Sequence, residues 1–121
     1  MTGDARKIHF SVLLEECMAY LGLESGGVYV DGTLGLGGHT EEILKRTEPD
    51  GQVIGFEWDE AAIVQARERL AWAGQRLKIV QKNFAEIAIG LQEQHQEQVD
   101  GILIDIGGSP LHVEPGVRGF R

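Results

Sequence analysis

The chain has 121 residues, 42% of them hydrophobic, enough for one folded domain with a sizeable core, which excludes a disordered segment. The 11 basic residues stand against 19 acidic ones, a formal charge of −8, and uniform negative charge repels a polyanion, so bulk electrostatics argue against nucleic-acid binding by this chain alone. Cys17 is the only cysteine, Met1 to Phe10 hold no apolar signal core, and no run is apolar enough to span a bilayer, so neither an internal disulfide nor a membrane helix is expected and a reducing cytoplasm is.

There is no internal repeat, low-complexity run or linker. Ser11 is placed to cap a first helix from Val12 to Leu21, with Glu15 and Glu16 near its positive end. Gly26-Gly27 closes that segment, and Val28 to Asp31 forms strand one. The turn that follows, DGTLGLGGH from Asp31 to His39, feeds a helix from about Gly38 to Arg46. Pro49-Asp50-Gly51 reads as a turn, and Gln52 to Glu57 as strand two. Asp59 caps a third helix, Glu60 to Trp72, with Ala62, Ile63, Ala66 and Leu70 at helical spacing, and Gly74 stops it. Strand three is Leu77 to Gln81, followed by Asn83-Phe84 and a helix from Ala85 to about Gln94 with Ile87 and Leu91 facing inward. Strand four is Gly101 to Ile106, then Gly107-Gly108. From Ser109 to Arg121 prolines and glycines break any periodic run, which leaves strand four at an uncovered edge. A partner chain, a homodimer, or further sequence of a longer protein is expected to cover it.

Strands one, two and four are near-continuous apolar runs, the pattern of a parallel sheet with helices on both faces. Alternating β and α elements with short connections predict a doubly wound α/β fold with strand order 3-2-1-4. The switch point lies between strands one and four, and ligand is expected above their carboxyl ends, at Gly35, Gly37, Gly38, Asp105 and Gly107, with Glu57 beside them.

The glycine-rich turn lets backbone N–H groups approach a ligand closely. Glu57 lies 20 residues after Gly37, about the offset at which a carboxylate meets ribose hydroxyls, although it could also merely lead into the helix capped by Asp59. A dinucleotide would want the spacing G-x-G-x-x-G, but the position three beyond Gly37 is Thr40. S-adenosylmethionine carries a sulfonium rather than a pyrophosphate, and a pocket flanked by Asp31 and Asp105 suits that charge. Asp31 could equally brace the turn through its backbone N–H groups. Phe84 is placed to stack on adenine or to sit in the core, and Trp58 to flank the adenosine or cover the third helix. His39, at a helix start, is either an exposed capping residue or a ligand contact, and His9, His95 and His112 lack metal-ligand spacing.

Several segments together resemble the RsmH/MraW-type ribosomal RNA methyltransferases. His9 to Glu16 is similar to that family's H-x-[ST]-V-L-L-x-E opening, and DGTLGLGGH to its D-G-T-x-G-x-G-G-H signature. Gly55 to Ile63, Asn83-Phe84, Asp100 to Gly107 and Arg118-Gly119-Phe120 resemble its later motifs, so the likeness spans nearly the whole chain. Glu57 stands where the family usually has Asp, and Asp105 to His112 departs from its D-L-G-V-S-S-x-Q. The resemblance implies a Rossmann-like class I methyltransferase fold and a single S-adenosylmethionine-binding domain over 1–121. In the family, an inserted helical region for substrate and further strands follow. It implies methyl transfer to the N4 amine of a cytidine in small-subunit ribosomal RNA, with Gly37, Gly38, His39, Glu57, Phe84 and Asp105 holding cofactor. Asp105 is also the candidate to accept an N–H of the target amine. RNA contact would come through parts beyond this chain. A non-catalytic S-adenosylmethionine-binding module and a nicotinamide-dependent oxidoreductase domain are the alternatives.

Overall fold

The computed structural model describes residues 14–106 and 109–113. Within them a helix over 14–21 (α1) precedes β1 (Val28–Asp31), α2 (Gly38–Arg46), β2 (Gln52–Phe56) and α3 (Glu60–Arg69). A 3-10 segment (Ala71–Arg76), β3 (Leu77–Val80), a 3-10 turn (Phe84–Glu86), α4 (Ile87–Glu93), β4 (Gly101–Ile106) and β5 (Ser109–Val113) complete the order. The expected cap Ser11, the first residues of the first helix, Gly107, and the Arg118-Gly119-Phe120 motif lie outside the described residues.

The sheet has the order β3-β2-β1-β4-β5. The first four strands are parallel, as expected from strand order 3-2-1-4. β5 is a correction: it lies antiparallel on β4, with Ile106 opposite Ser109 and Ile102 opposite Val113. The edge of β4 is therefore covered by the chain itself. Pro110 is tolerated there because it faces Asp105, whose amide points the other way, to the Thr33 hydroxyl at 2.6 Å.

Alternation along the strands divides the core in two. Tyr29, Val53 and Leu103 pack with Cys17, Met18 and Leu21 of α1 and Ile43 and Leu44 of α2. Val30, Ile54, Phe56, Val80 and Ile102 pack on the opposite face with Ile87 and Leu91 of α4. Arg46 pairs with Glu15 and Glu42, linking α2 to α1 at an exposed surface where such pairs contribute little. The entry to β1 is held more firmly. The Val28 amide donates to the Asp100 carboxylate at 2.8 Å, and the Asp100 amide donates back to the Val28 carbonyl at 2.7 Å.

β2 and β3 each stop one residue short of expectation, at Phe56 and Val80, and two helices differ by more. α3 ends at Arg69 rather than Trp72, because buried Leu70 leaves helical geometry and packs beneath Gly37. The segment after β3 starts as a 3-10 turn, with Asn83 accepting the Ala85 amide at 2.9 Å, and becomes α-helical only at Ile87. Gly90 of α4 lies against the Phe56 ring so closely that a methyl group there would collide with it.

Candidate functional site

The turn after β1 is latched to β2 at two points. The Leu34 amide donates to the Phe56 carbonyl at 2.9 Å, and the Gly35 amide donates to Glu57 Oε1 at 2.9 Å. The other carboxylate oxygen of Glu57 accepts the Asp59 amide at 2.9 Å, while Asp59 caps α3 by accepting from Ala61 at 3.2 Å. Glu57 thus joins the glycine turn, the end of β2 and the start of α3. Gly37 precedes α2 with φ 93, a left-handed conformation that a side chain would strain.

Beyond these strand ends lies a cavity of about 130 Å³, lined by Gly32, Thr33, Phe56, Glu57, Trp58, Lys82, Asn83 and Phe84. Glu57 and Phe84, both expected at a ligand, meet here. Phe84 is 40% exposed and Trp58 66% exposed, so neither ring is core material. A larger groove, about 730 Å³, is lined by Gln52 and Leu77 at the opposite ends of β2 and β3. It faces away from the switch point, so size does not select it.

Asp31 is fully buried and braces the turn. Its Oδ1 accepts the Thr33 amide at 3.1 Å and its Oδ2 accepts the Thr40 hydroxyl at 2.7 Å. Burial pushes its carboxyl above the ordinary 3.8, against the opposing pull of those hydrogen bonds and of His39. Bracing is therefore what this side chain does in the structure. His39 is buried, not exposed, so it is not a solvent-facing cap. Asp105 lies two residues beyond Leu103, the partner of Asp31 on the neighbouring strand, and its charge raises the Asp31 carboxyl further. Its Oδ1 is buried without a hydrogen-bond partner among the described residues.

Six residues were expected to hold a ligand, and the structure divides them into three connected places. Glu57 and Phe84 line the cavity; Gly37 caps and Gly38 and His39 begin α2; Asp105 is the penultimate residue of β4, on the far side of Thr33. Thr33 and Thr40 tie these places together and were not singled out from sequence. A threonine two residues beyond a strand-ending Asp, as in Asp31-Gly32-Thr33, was the available signal, since that spacing lets the carboxylate accept the threonine amide. Among the described residues no helix is long and apolar enough to cross a membrane, and no group of three or more His, Cys, Asp or Glu could hold a metal ion.

Solved structures with this arrangement include methyltransferases. An S-adenosylmethionine-dependent O-methyltransferase from Thermotoga maritima matches with TM-score 0.61 at 21% identity, covering 81% of this chain and 34% of that one. A protein-L-isoaspartate O-methyltransferase matches with TM-score 0.65 at 19% identity, covering 78% of this chain and 29% of that one. At such identities the likeness establishes the fold: a Rossmann-like class I methyltransferase architecture. The family follows from sequence. The profile of the MraW methylase family matches residues 6–121, and the chain belongs to that family. A ribosomal RNA small subunit methyltransferase H from Desulfotalea psychrophila is 62% identical over 117 residues, 97% of this chain and 40% of that protein. The protein of the same name from Geotalea uraniireducens is 47% identical over 112 residues, 93% of this chain and 36% of that protein. The chain thus spans about 40% or less of the length of these relatives.

Proposed function

We propose that this chain is the S-adenosylmethionine-binding part of a methyltransferase acting on the N4 amine of a cytidine in small-subunit ribosomal RNA. The observation that carries the reading is the Glu57 carboxylate, held open at the cavity by two backbone amides, with exposed Phe84 beside it. An amide on each oxygen fixes the carboxylate while leaving lone pairs that can accept ribose hydroxyls. Phe84 offers a flat apolar surface for a purine, and Trp58 adds a second aromatic at the rim.

The residues present fit the cofactor. A Cβ at Gly32 would lie 3.0 Å from Ile104 and 3.1 Å from Ile87, so a side chain there would crowd the floor of the cleft. Asp105 Oδ1, without a hydrogen-bond partner among the described residues, offers an acceptor for a donor such as an ammonium or an exocyclic amine. On this reading Gly37, Gly38 and His39 hold the cofactor at the start of α2, Glu57 the ribose, Phe84 the adenine, and Asp105 the reacting end. S-adenosylmethionine supplies, when bound, an electrophilic methyl group on sulfur. The protein aligns the groups and excludes water. Asp105 accepts an N–H of the target amine, which keeps the nitrogen lone pair directed at the methyl-bearing end of the cleft.

The substrate assignment rests on the names of the relatives, and RNA contact is assigned to sequence they have beyond the matched part. On this reading the protein works in the cytoplasm, where ribosomal subunits are. The test is calorimetric titration of the chain with S-adenosylmethionine, S-adenosylhomocysteine and NAD. Binding of the first two and not the third is expected. Binding of NAD alone would instead establish the nicotinamide reading.

A further inference from the structure

β1 ends before β4 does. Their parallel register runs out with Asp31 opposite Leu103, and the Gly32 amide makes a last backbone bond to the Leu103 carbonyl at 2.7 Å. β4 continues to Ile106. The Asp105 amide therefore points toward a neighbour strand that has already turned away, and a strand-end amide left unpaired is costly. The Thr33 hydroxyl takes the place of the missing carbonyl, accepting the Asp105 amide at 2.6 Å. Thr33 is itself fixed. Its amide donates to Asp31 at 3.1 Å, and Asp31 is held in turn by the Thr40 hydroxyl at 2.7 Å.

We propose that Thr33 is a positioning residue: its hydroxyl fixes the backbone of Asp105 and so sets the direction of the Asp105 carboxylate toward the cofactor. The inference rests on the S-adenosylmethionine reading above. Asp105 Oδ1 has no hydrogen-bond partner among the described residues, so its placement rests on the backbone of Asp105, held by β5 on one side and by the Thr33 hydroxyl on the other. A β-branched residue suits the task, because its stiff first torsion keeps the hydroxyl oxygen in place. Thr33 also lines the cavity beside Glu57, so one residue spans the two halves of the cleft.

Thr33→Val replaces the hydroxyl by a methyl of similar size, and Thr33→Ser keeps it. Each variant of the 121-residue chain is titrated with S-adenosylmethionine, S-adenosylhomocysteine and adenosine, and exchange of the Asp105 amide is followed by NMR. Adenosine has the base and ribose assigned to Phe84 and Glu57 but lacks the amino-acid arm. Thr33→Val is expected to weaken both cofactor forms about three- to tenfold, the effect of one lost hydrogen bond, and to leave adenosine affinity unchanged. Thr33→Ser is expected to bind as the parent does. The Asp105 amide should exchange slowly in the parent and in Thr33→Ser, and quickly in Thr33→Val. Undiminished cofactor binding by Thr33→Val overturns the proposal, as does an equal loss in Thr33→Ser or an equal loss for adenosine. Slow Asp105 exchange in Thr33→Val also overturns it. A parent chain that binds none of the three ligands overturns the cofactor reading first and the ligand role of Thr33 with it; the exchange result then shows separately whether the hydroxyl holds β4.

Discussion

Asp31 and Glu57 begin alike and end differently. Each is an acidic residue at the carboxyl end of a central strand, and each accepts an amide of the glycine turn, from Thr33 and Gly35 respectively. Asp31 is 1% exposed and satisfied within the protein, whereas Glu57 borders the open cavity. The same side-chain chemistry two strand ends apart thus becomes a brace in one case and, in the function proposed above, a ligand group in the other. What separates them is the neighbour. The start of α2 closes over Asp31 through Thr40, while among the described residues Glu57 is left lining a cavity.

The sharpest way to break this contrast is to remove each carboxylate in turn. Asp31→Ala strands a buried amide and a buried hydroxyl, and is expected to cost about 3 kcal/mol of stability in urea denaturation. A loss under about 1 kcal/mol would mean that Asp31 is not a brace. Glu57→Ala is expected to weaken S-adenosylmethionine binding at least tenfold, about 1.4 kcal/mol, while costing less stability than Asp31→Ala. Unchanged calorimetric affinity would remove Glu57 from the site.

The contrast sharpens with pH. Below the ordinary carboxyl value of 3.8, both the folded and the unfolded chain hold the Asp31 proton and burial costs nothing. As pH rises past 3.8, the unfolded chain releases its proton first, because burial holds the folded value higher. The stability contributed by that retained proton is therefore present at low pH and lost as pH rises through the folded value. Relative to Asp31→Asn, which cannot ionise, the parent should lose stability across that window, as read from urea midpoints at successive pH values. Parallel curves would show that Asp31 ionises as it does in water. The smallest effect on the fold is expected at Gly38, where an added Cβ meets nothing within 4 Å among the described residues. Gly38→Ala should leave stability unchanged or raise it by about 0.5 kcal/mol. It should still reduce cofactor affinity several-fold if the ligand lies over the start of α2, and calorimetry beside thermal melting separates the two readouts.

Much of this arrangement is legible along the chain because local rules and the fold agree. Apolar Val28 to Val30, the glycines, and the cap at Asp59 all specify the elements they form. The helix boundaries that shifted are those where a specific contact, the seat of Leu70 or the local Asn83 cap, overrules periodicity. Leu70 continues the apolar spacing of α3, yet its seat beneath Gly37 bends the chain into a 3-10 segment. β5 was hidden because Gly107-Gly108 and Pro110 read as breaks. Whether a proline breaks a strand depends on which way its missing donor would have pointed, and that is a property of the partner strand. The carboxylates, glycines and Phe84 of the proposed site stand out along the chain, but the connections between them do not. Thr33 and Thr40 are ordinary residues for a turn and a helix start, and their hydroxyls acquire a role only when three elements converge.

The contact of Gly90 with Phe56 has one further consequence. Phe56 forms part of the cavity wall, and its ring rests on a helix position that has no side chain at all. A single added carbon at position 90 would act as a shim behind that wall, forcing the ring forward or lifting α4 and, with it, the Phe84 turn. The width of the slot is therefore adjustable from its dry side, through a residue that no bound molecule could ever reach.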